Sequence, residues 1–357
     1  MTTDSLTAGV RPVASYVDRL WTAVEAGDEA GARDVVVGAL TDGLDREAVL
    51  LDVIGAVQHK MGGEWAAGRL TVAQEHAATA INDRVIAALP VVPRLPGAGA
   101  GHVTVACVDG EWHALPARLL AEVLALRGFD VDYLGAHVPG PHLIAHLHRT
   151  APDAVALSSS IATRLPTAHA TITACQAAGV PVIAGGAAFG QDGRYARLLG
   201  AEAWAPNARA AADRLTADPL PRPRQGHNPV DDLPHLADQE YTLVTRSAPL
   251  LVKAMYTGLE SRVPRMRDYT EQQRQYTAED LRHIVDFFAT ALYTGDAELF
   301  TGFLTWTAGI LEARRVPAST LVPTLELLRD ELRDFPRAAD LLDTARAHLL
   351  NITGTPE

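Results

Sequence analysis

Residues 103–116 read VTVACVDGEWHALP: a run of small and β-branched side chains, then Asp-Gly, then a carboxylate, an indole and an imidazole. An apolar run with no polar alternation is the signature of a strand buried on both faces. Four similar runs follow, at VDYL (131–134), AVALS (154–158), VPVIAGG (180–186) and EAWA (202–205). Helical patterns at roughly 115–127, 140–149, 165–178, 192–199 and 208–215 separate them. This alternation predicts an α/β unit whose parallel sheet is covered by helices on both faces.

Five strands of this size suit the flavodoxin-like (Rossmann-type) order, whose ligand crevice lies beyond the carboxyl ends of strands one and three. The loop after strand one then carries Glu111, Trp112 and His113 to that crevice, and strand three delivers Ser158, Ser159 and Ser160 to its other side. Gly135 closes strand two, and Gly185 and Gly186 close strand four, where missing side chains let a ligand approach the backbone.

Two proline-rich stretches, 90–101 and 216–238, divide the chain into segments 1–90, 101–215 and 239–357. The first reads as a helical bundle: Leu50, Val53, Ile54 and Val57 recur at helical spacing, as do Ala77, Ile81, Val85 and Leu89. Between them Gly62 and Gly63 are expected to end or bend a helix, and Thr71 with Gln74 to form a capping box, which puts Glu75 and His76 in the first turns of the next helix. The third segment is all-helical, with stripes Leu281, Ile284, Val285, Phe288 and Leu321, Leu325, Leu328, Leu332. The expected architecture is therefore α/β plus all-α.

Composition narrows the function classes. A formal charge of −12 argues against general nucleic-acid binding, which relies on basic patches, so no direct DNA contact is expected. No apolar run approaches the roughly 20 residues that span a bilayer, and the N-terminus has no signal-peptide pattern, so a cytoplasmic location without membrane contact is expected. The only cysteines, Cys107 and Cys175, are too few for a disulfide framework or a thiolate metal cage.

The crevice residues resemble the B12-binding domain family, whose signature is D-x-H-x-x-G, then S-x-L, then G-G. The matching positions are Glu111-x-His113-x-x-Pro116, Ser158-x-Ser160 and Gly185-Gly186. The resemblance implies that His113 replaces the cofactor's own base as the lower cobalt ligand, with the nucleotide tail running beside the sheet. Glu111 would orient the imidazole as a carboxylate partner. Glutamate for aspartate is a mild change; Ser160 trades leucine's apolar contact for a hydroxyl; Pro116 brings a ring towards the tail where the family has glycine.

In the first segment, Trp65 and Glu75-His76 form W-x9-E-H, which resembles the cap of CarH-type photoreceptors. That likeness implies a bundle over the upper face of adenosylcobalamin, with Trp65 shielding the adenosyl group, Glu75 contacting it, and His76 able to take the upper cobalt position once it leaves. CarH-type proteins begin with a helix-turn-helix domain. Only about 20 residues precede the first helical pattern here, so a repressor of that kind is not expected.

A B12 core followed by about 120 helical residues resembles the photocobilins, which add a bilin-binding helical domain. The resemblance implies biliverdin as a second cofactor, without a thioether bond because the third segment has no cysteine. Arg262, Arg265, Arg267 and Arg274 lie near Tyr269 and Tyr276 as partners for propionates. His283 and Asp286 are candidates for the pyrrole nitrogens, with Phe287 and Trp306 as ring contacts. The reading is a light-sensing signalling protein, a homodimer with a downstream partner and no catalytic domain of its own. A corrinoid methyl carrier for a methyltransferase, or a cofactor-free interaction scaffold, are the alternatives.

Overall fold

The computed structural model describes residues 12–90, 99–223 and 233–353, with the side chain of Arg265 also outside the description. Much of both proline-rich stretches therefore falls outside the described residues.

The N-terminal bundle comprises α1 (Val13–Glu25), α2 (Glu29–Thr41), α3 (46–66) and α4 (Val72–Ala87). Helix α3 runs from Arg46–Ala48 through a π-helical stretch, Val49–Ile54, into Gly55–Ala66. The stripe Leu50, Val53, Ile54, Val57 is buried as its spacing predicts. Gly62 and Gly63 do not interrupt α3. Both face solvent with open space around them, and a cost of about 1 kcal/mol for each glycine is outweighed by burial of Val57 and Met61 on the opposite side. The helix ends only before Gly68, whose φ of +70° suits glycine. The Thr71–Gln74 capping box starts α4 as expected. The inward face of α4 is Ala78, Ile81, Asn82, Val85 and Ile86, whereas Ala77 is exposed, one position off the expected stripe.

The central sheet has five parallel strands: β1 (His102–Cys107), β2 (Asp130–Gly135), β3 (Ala154–Ser158), β4 (Val182–Gly185) and β5 (Ala203–Ala205). Their order is β2-β1-β3-β4-β5, with Val105 paired to Ala156 and Leu157 to Ala184. The connecting helices are α5 (Leu115–Leu126), α6 (Gly140–Thr150), α7 (Leu165–Ala177), α8 (Arg194–Leu198) and α9 (Ala208–Ala217). This is the Rossmann-like arrangement expected from the alternation of runs, and the chain reverses direction across the sheet between β1 and β3.

The C-terminal bundle consists of α10 (Glu240–Arg262), α11 (Glu271–Thr294), α12 (Ala297–Ala313), α13 (Leu321–Glu331) and α14 (Pro336–Thr353). Both expected stripes are buried. The buried Glu240 accepts the Arg337 and Ala338 amides at 3.1 and 2.7 Å, satisfying the first turn of α14.

Strand pleating decides how the three parts assemble. Val103, Val105, Cys107, Ala154 and Ala156 face α5, α9 and the N-terminal bundle in one core. Ala106, Val155 and Leu157 face α6, α7 and the C-terminal bundle in another. Each bundle thus completes the core on one face of the sheet. Polar contacts reinforce both seams: Arg127 grips Glu47 in bidentate fashion and Arg209 joins Glu47 to Asp52, while Tyr195 donates to Asp296 at 2.8 Å. Among the described residues no helix is long and apolar enough to cross a membrane.

A candidate cofactor site between the N-terminal bundle and the sheet

The Asp-Gly turn after β1 reverses the chain, and Glu111 folds back beneath it. Its carboxylate is buried and collects donors on both oxygens. Oε1 accepts the His113 amide at 2.9 Å and His113 Nδ1 at 2.5 Å. Oε2 accepts the Ser160 amide at 2.6 Å, the Ile161 amide at 3.1 Å and the Ser159 hydroxyl at 3.1 Å. Burial alone would raise this acid's pKa, but the bonds from His113, Ser160 and Ile161 hold it down at about 2. It is a permanent anion at neutral pH. The carboxylate in turn raises the pKa of His113 through their hydrogen bond, against the opposing effect of burial, with the charge of Glu75 adding to the rise. Because Nδ1 serves Glu111, the lone pair of the neutral ring sits on Nε2, the nitrogen left for a metal.

His113 opens into a cavity of about 520 Å³ bounded by α3 and α4 on one side and the sheet loops on the other. Its lining brings together Glu75, His76, Trp112, His113 and Ser160, all singled out from the sequence. It adds Gln58, Thr79, Asp83, Arg118 and Tyr133, which no motif marked. Tyr133 lies under the Arg118 guanidinium at 5.7 Å, and burial pushes its hydroxyl up to about 12. On the bundle side, Asn82 Nδ2 donates to Gln58 at 3.0 Å, Gln58 Nε2 to Thr79 at 2.7 Å, and the Thr79 hydroxyl to Glu75 at 2.9 Å. Every donor in this chain points towards the Glu75 carboxylate, an arrangement in which each bond polarises the next. His76, beside it, is exposed, with Nδ1 at 2.8 Å from the Val72 carbonyl and 3.1 Å from Glu75.

A narrower groove of about 100 Å³ runs alongside, lined by Ser158, Gly185 and Gly186. Pro116, in the first turn of α5, borders both spaces. Gly186 has φ +97°, and a Cβ there would meet the Ser159 carbonyl oxygen at 2.2 Å. The glycine therefore admits the neighbouring backbone as well as lining the groove. Gly135 lines neither space; its φ of +80° serves the turn after β2. Trp65 is also absent from the cavity wall. It lies two turns beyond Gln58 on α3, its ring 6.0 Å from that of Trp306 and 5.9 Å from the Arg314 guanidinium.

An imidazole with a free Nε2, a carboxylate fixing its other nitrogen and an open cavity above them are a donor set suited to the cobalt of a corrinoid. Residues 101–213 match the B12 binding domain, and residues 16–89 match a second B12 binding domain family. The chain carries a B12-binding unit. It is similar to the HTH-type transcriptional repressor CarH of Myxococcus xanthus, at 30% identity over 180 residues, 49% of this chain and 58% of that protein. It thus spans little more than half the length of that relative. Among solved structures, the monomethylamine corrinoid protein of Methanosarcina barkeri aligns over 58% of this chain and 99% of its own, at 19% identity and TM-score 0.49. A cobalamin-binding protein from Desulfitobacterium hafniense DCB-2 aligns over 56% and 97%, at 22% identity and TM-score 0.31.

A third cavity, of about 450 Å³, lies where the C-terminal bundle meets the β3–α7 loop of the B12-binding unit. His283, Asp286, Phe287 and Trp306 line it, as do Arg164 and Arg282. The other described residues of the tetrapyrrole inventory, Arg262, Arg267, Arg274, Tyr269 and Tyr276, are placed elsewhere. Arg262 pairs with Glu326 at 3.1 Å, Arg274 donates to the backbone of Tyr269 and Arg267, Tyr269 packs on the bundle core, and the exposed Tyr276 bonds Gln272 at 2.8 Å. These residues precede or open α11, whereas His283 and Asp286 lie two or more turns further along it.

Proposed function

We propose that the protein senses light through adenosylcobalamin, with His113 Nε2 as the lower cobalt ligand and the N-terminal bundle covering the upper face. The observation that carries this reading is the saturated Glu111 carboxylate, which fixes His113 with its metal-binding nitrogen towards the cavity. When bound, the cofactor supplies a light-labile Co–C bond. Glu75, held by the Gln58–Thr79 chain, accepts hydrogen bonds from the adenosyl group. Gln58 and Thr79, which line the cavity, cover the group from the bundle side, while Trp65 packs on Trp306 outside the cavity wall. His76, exposed at the start of α4 and lining the same cavity, would be the bundle-side residue able to hold the metal. Light-driven displacement of the bundle alters a homodimer or partner interface.

Biliverdin is the second cofactor of this reading, in the cavity lined by His283, Asp286 and Trp306. Arg164 and Arg282 supply guanidinium partners for its propionates. The two cysteines are buried within the B12-binding unit, so its attachment is noncovalent.

Absorption spectra of protein purified with adenosylcobalamin and biliverdin, before and after illumination, test both parts. The expected result is a light-dependent cobalamin spectrum that is lost in His113→Ala, and a red-absorbing band lost in Asp286→Ala. An unchanged response in His113→Ala refutes the first part, and a colourless C-terminal bundle the second. Methyl transfer from bound methylcobalamin to a thiol, without light-dependent change, would instead assign the protein as a methyl carrier.

A further inference from the structure

We propose that His137, in the loop between β2 and α6, is a positioning residue for the loop that carries His113; this rests on the reading of His113 as the cobalt ligand. His137 makes three contacts with successive residues of that loop. Its backbone amide donates to the Glu111 carbonyl at 2.8 Å. Its Nδ1 accepts the Gly110 amide at 2.9 Å. Its ring stacks on Trp112, with centroids 4.8 Å apart and planes 16° from parallel. The backbone is shaped for this: Gly135 and His137 have φ of +80° and +48°, and such left-handed conformations are uncommon outside glycine.

The geometry needs this brace. Trp112 is 70% exposed, so neither it nor Gly110 is fixed by burial in a core. Glu111 anchors the loop from below, on the β3 side, and His137 anchors it from the β2 side. The two restraints meet in Glu111, whose side chain holds His113 and whose carbonyl is held by His137. Loss of the β2-side restraint frees the Asp109–Trp112 turn to shift the His113 imidazole relative to the cavity.

Cobinamide is the probe of choice because it has no nucleotide base, so any axial nitrogen on its cobalt comes from the protein. Its affinity is measured by absorbance titration. Its coordination is read from nitrogen splitting in the electron paramagnetic resonance spectrum of the Co(II) form. His137→Gly suits the left-handed backbone but removes the ring and its acceptor; thermal unfolding checks that it folds. His137→Asn tolerates the same backbone and places Oδ1 where Nδ1 stood. The expected result is a roughly 10- to 100-fold weaker affinity and diminished nitrogen splitting in His137→Gly, both restored towards wild type in His137→Asn. Should the glycine variant not fold, His137→Ser, whose hydroxyl is one bond too short to reach Gly110, takes its place with the same expected loss. Wild-type affinity and splitting in His137→Gly or His137→Ser overturn the proposal, as does failure of His137→Asn to restore them. His113→Ala separates the two readings. If it retains the splitting, the cobalt-ligand assignment fails; if it loses the splitting while His137→Gly does not, only the role of His137 fails.

Discussion

Replacing Glu111 by glutamine changes one oxygen into an amide and removes one charge, and the geometry fixes the cost. Glu111 receives five hydrogen bonds, two on Oε1 and three on Oε2. A glutamine that keeps its oxygen towards the Ser160 and Ile161 amides must turn its NH2 towards His113. There it confronts the His113 backbone donor and forces the imidazole to become an acceptor at Nδ1, which places the ring proton on Nε2. The tautomer that leaves Nε2 free for a metal is then lost. The stability cost follows from the same carboxylate. A pKa lowered from an ordinary 4.5 to about 2 corresponds to roughly 3 kcal/mol of stability at neutral pH. Because the folded-state pKa is depressed, this stabilisation is complete above the unfolded value and declines as pH falls towards about 2. Near pH 3 less than half of it remains. Urea unfolding of wild type and Glu111→Gln, followed by circular dichroism, should show a gap of roughly 3 kcal/mol at pH 7 that narrows by more than half near pH 3. Cobinamide bound to the variant should lack protein nitrogen. A pH-independent gap, or no gap at neutral pH, would refute the reasoning.

Four further outcomes follow from the packing. Gly186→Ala should unfold the B12-binding unit or destabilise it by several kcal/mol, since its Cβ would overlap the Ser159 carbonyl oxygen at 2.2 Å in a left-handed backbone; a variant with wild-type thermal unfolding contradicts this. Gly185→Ala, whose Cβ would meet the Ala205 carbonyl at 3.4 Å, should cost markedly less in the same assay. Gln58→Leu strands the buried Asn82 amide and should cost roughly 1–3 kcal/mol, much of it recovered in the Gln58→Leu/Asn82→Leu double variant; additive losses would argue against the hydrogen-bond chain. Cys107 and Cys175 are both buried, with pKa values pushed up by burial to about 12, so neither should react with an aromatic disulfide reagent at pH 8 until the protein is denatured. Rapid labelling of either in the folded protein would show that the sheet core opens.

The sheet was legible because its strands are buried on both faces and so stand out as unbroken apolar runs between helical patterns. Glu111, His113 and the glycine pair were legible because chemistry restricts which residue types can fill those places, whereas Ser160 serves Glu111 through its backbone amide, which any residue supplies. Other positions carried no such mark. Ala78 rather than Ala77 faces the core because the helix phase is set by its neighbours, and Gly62 and Gly63 stay helical because packing on the far side of α3 outweighs their propensity. Gln58, Thr79, Tyr133 and Arg118 are ordinary residues on ordinary helices and a strand until folding brings them to one wall.

The amino-acid order alone determined the succession of helical bundle, parallel sheet and helical bundle, and the loop that holds the imidazole. Both are local consequences of side-chain period and turn chemistry. Only the tertiary structure decided that the two bundles cover opposite faces of the sheet, that Trp65 meets Trp306 across the seam, and that Arg164 and Arg282 rather than Arg262 and Arg274 reach the third cavity. Those relations join residues remote in the chain, and they are fixed by which apolar faces find each other, a choice that no single segment contains.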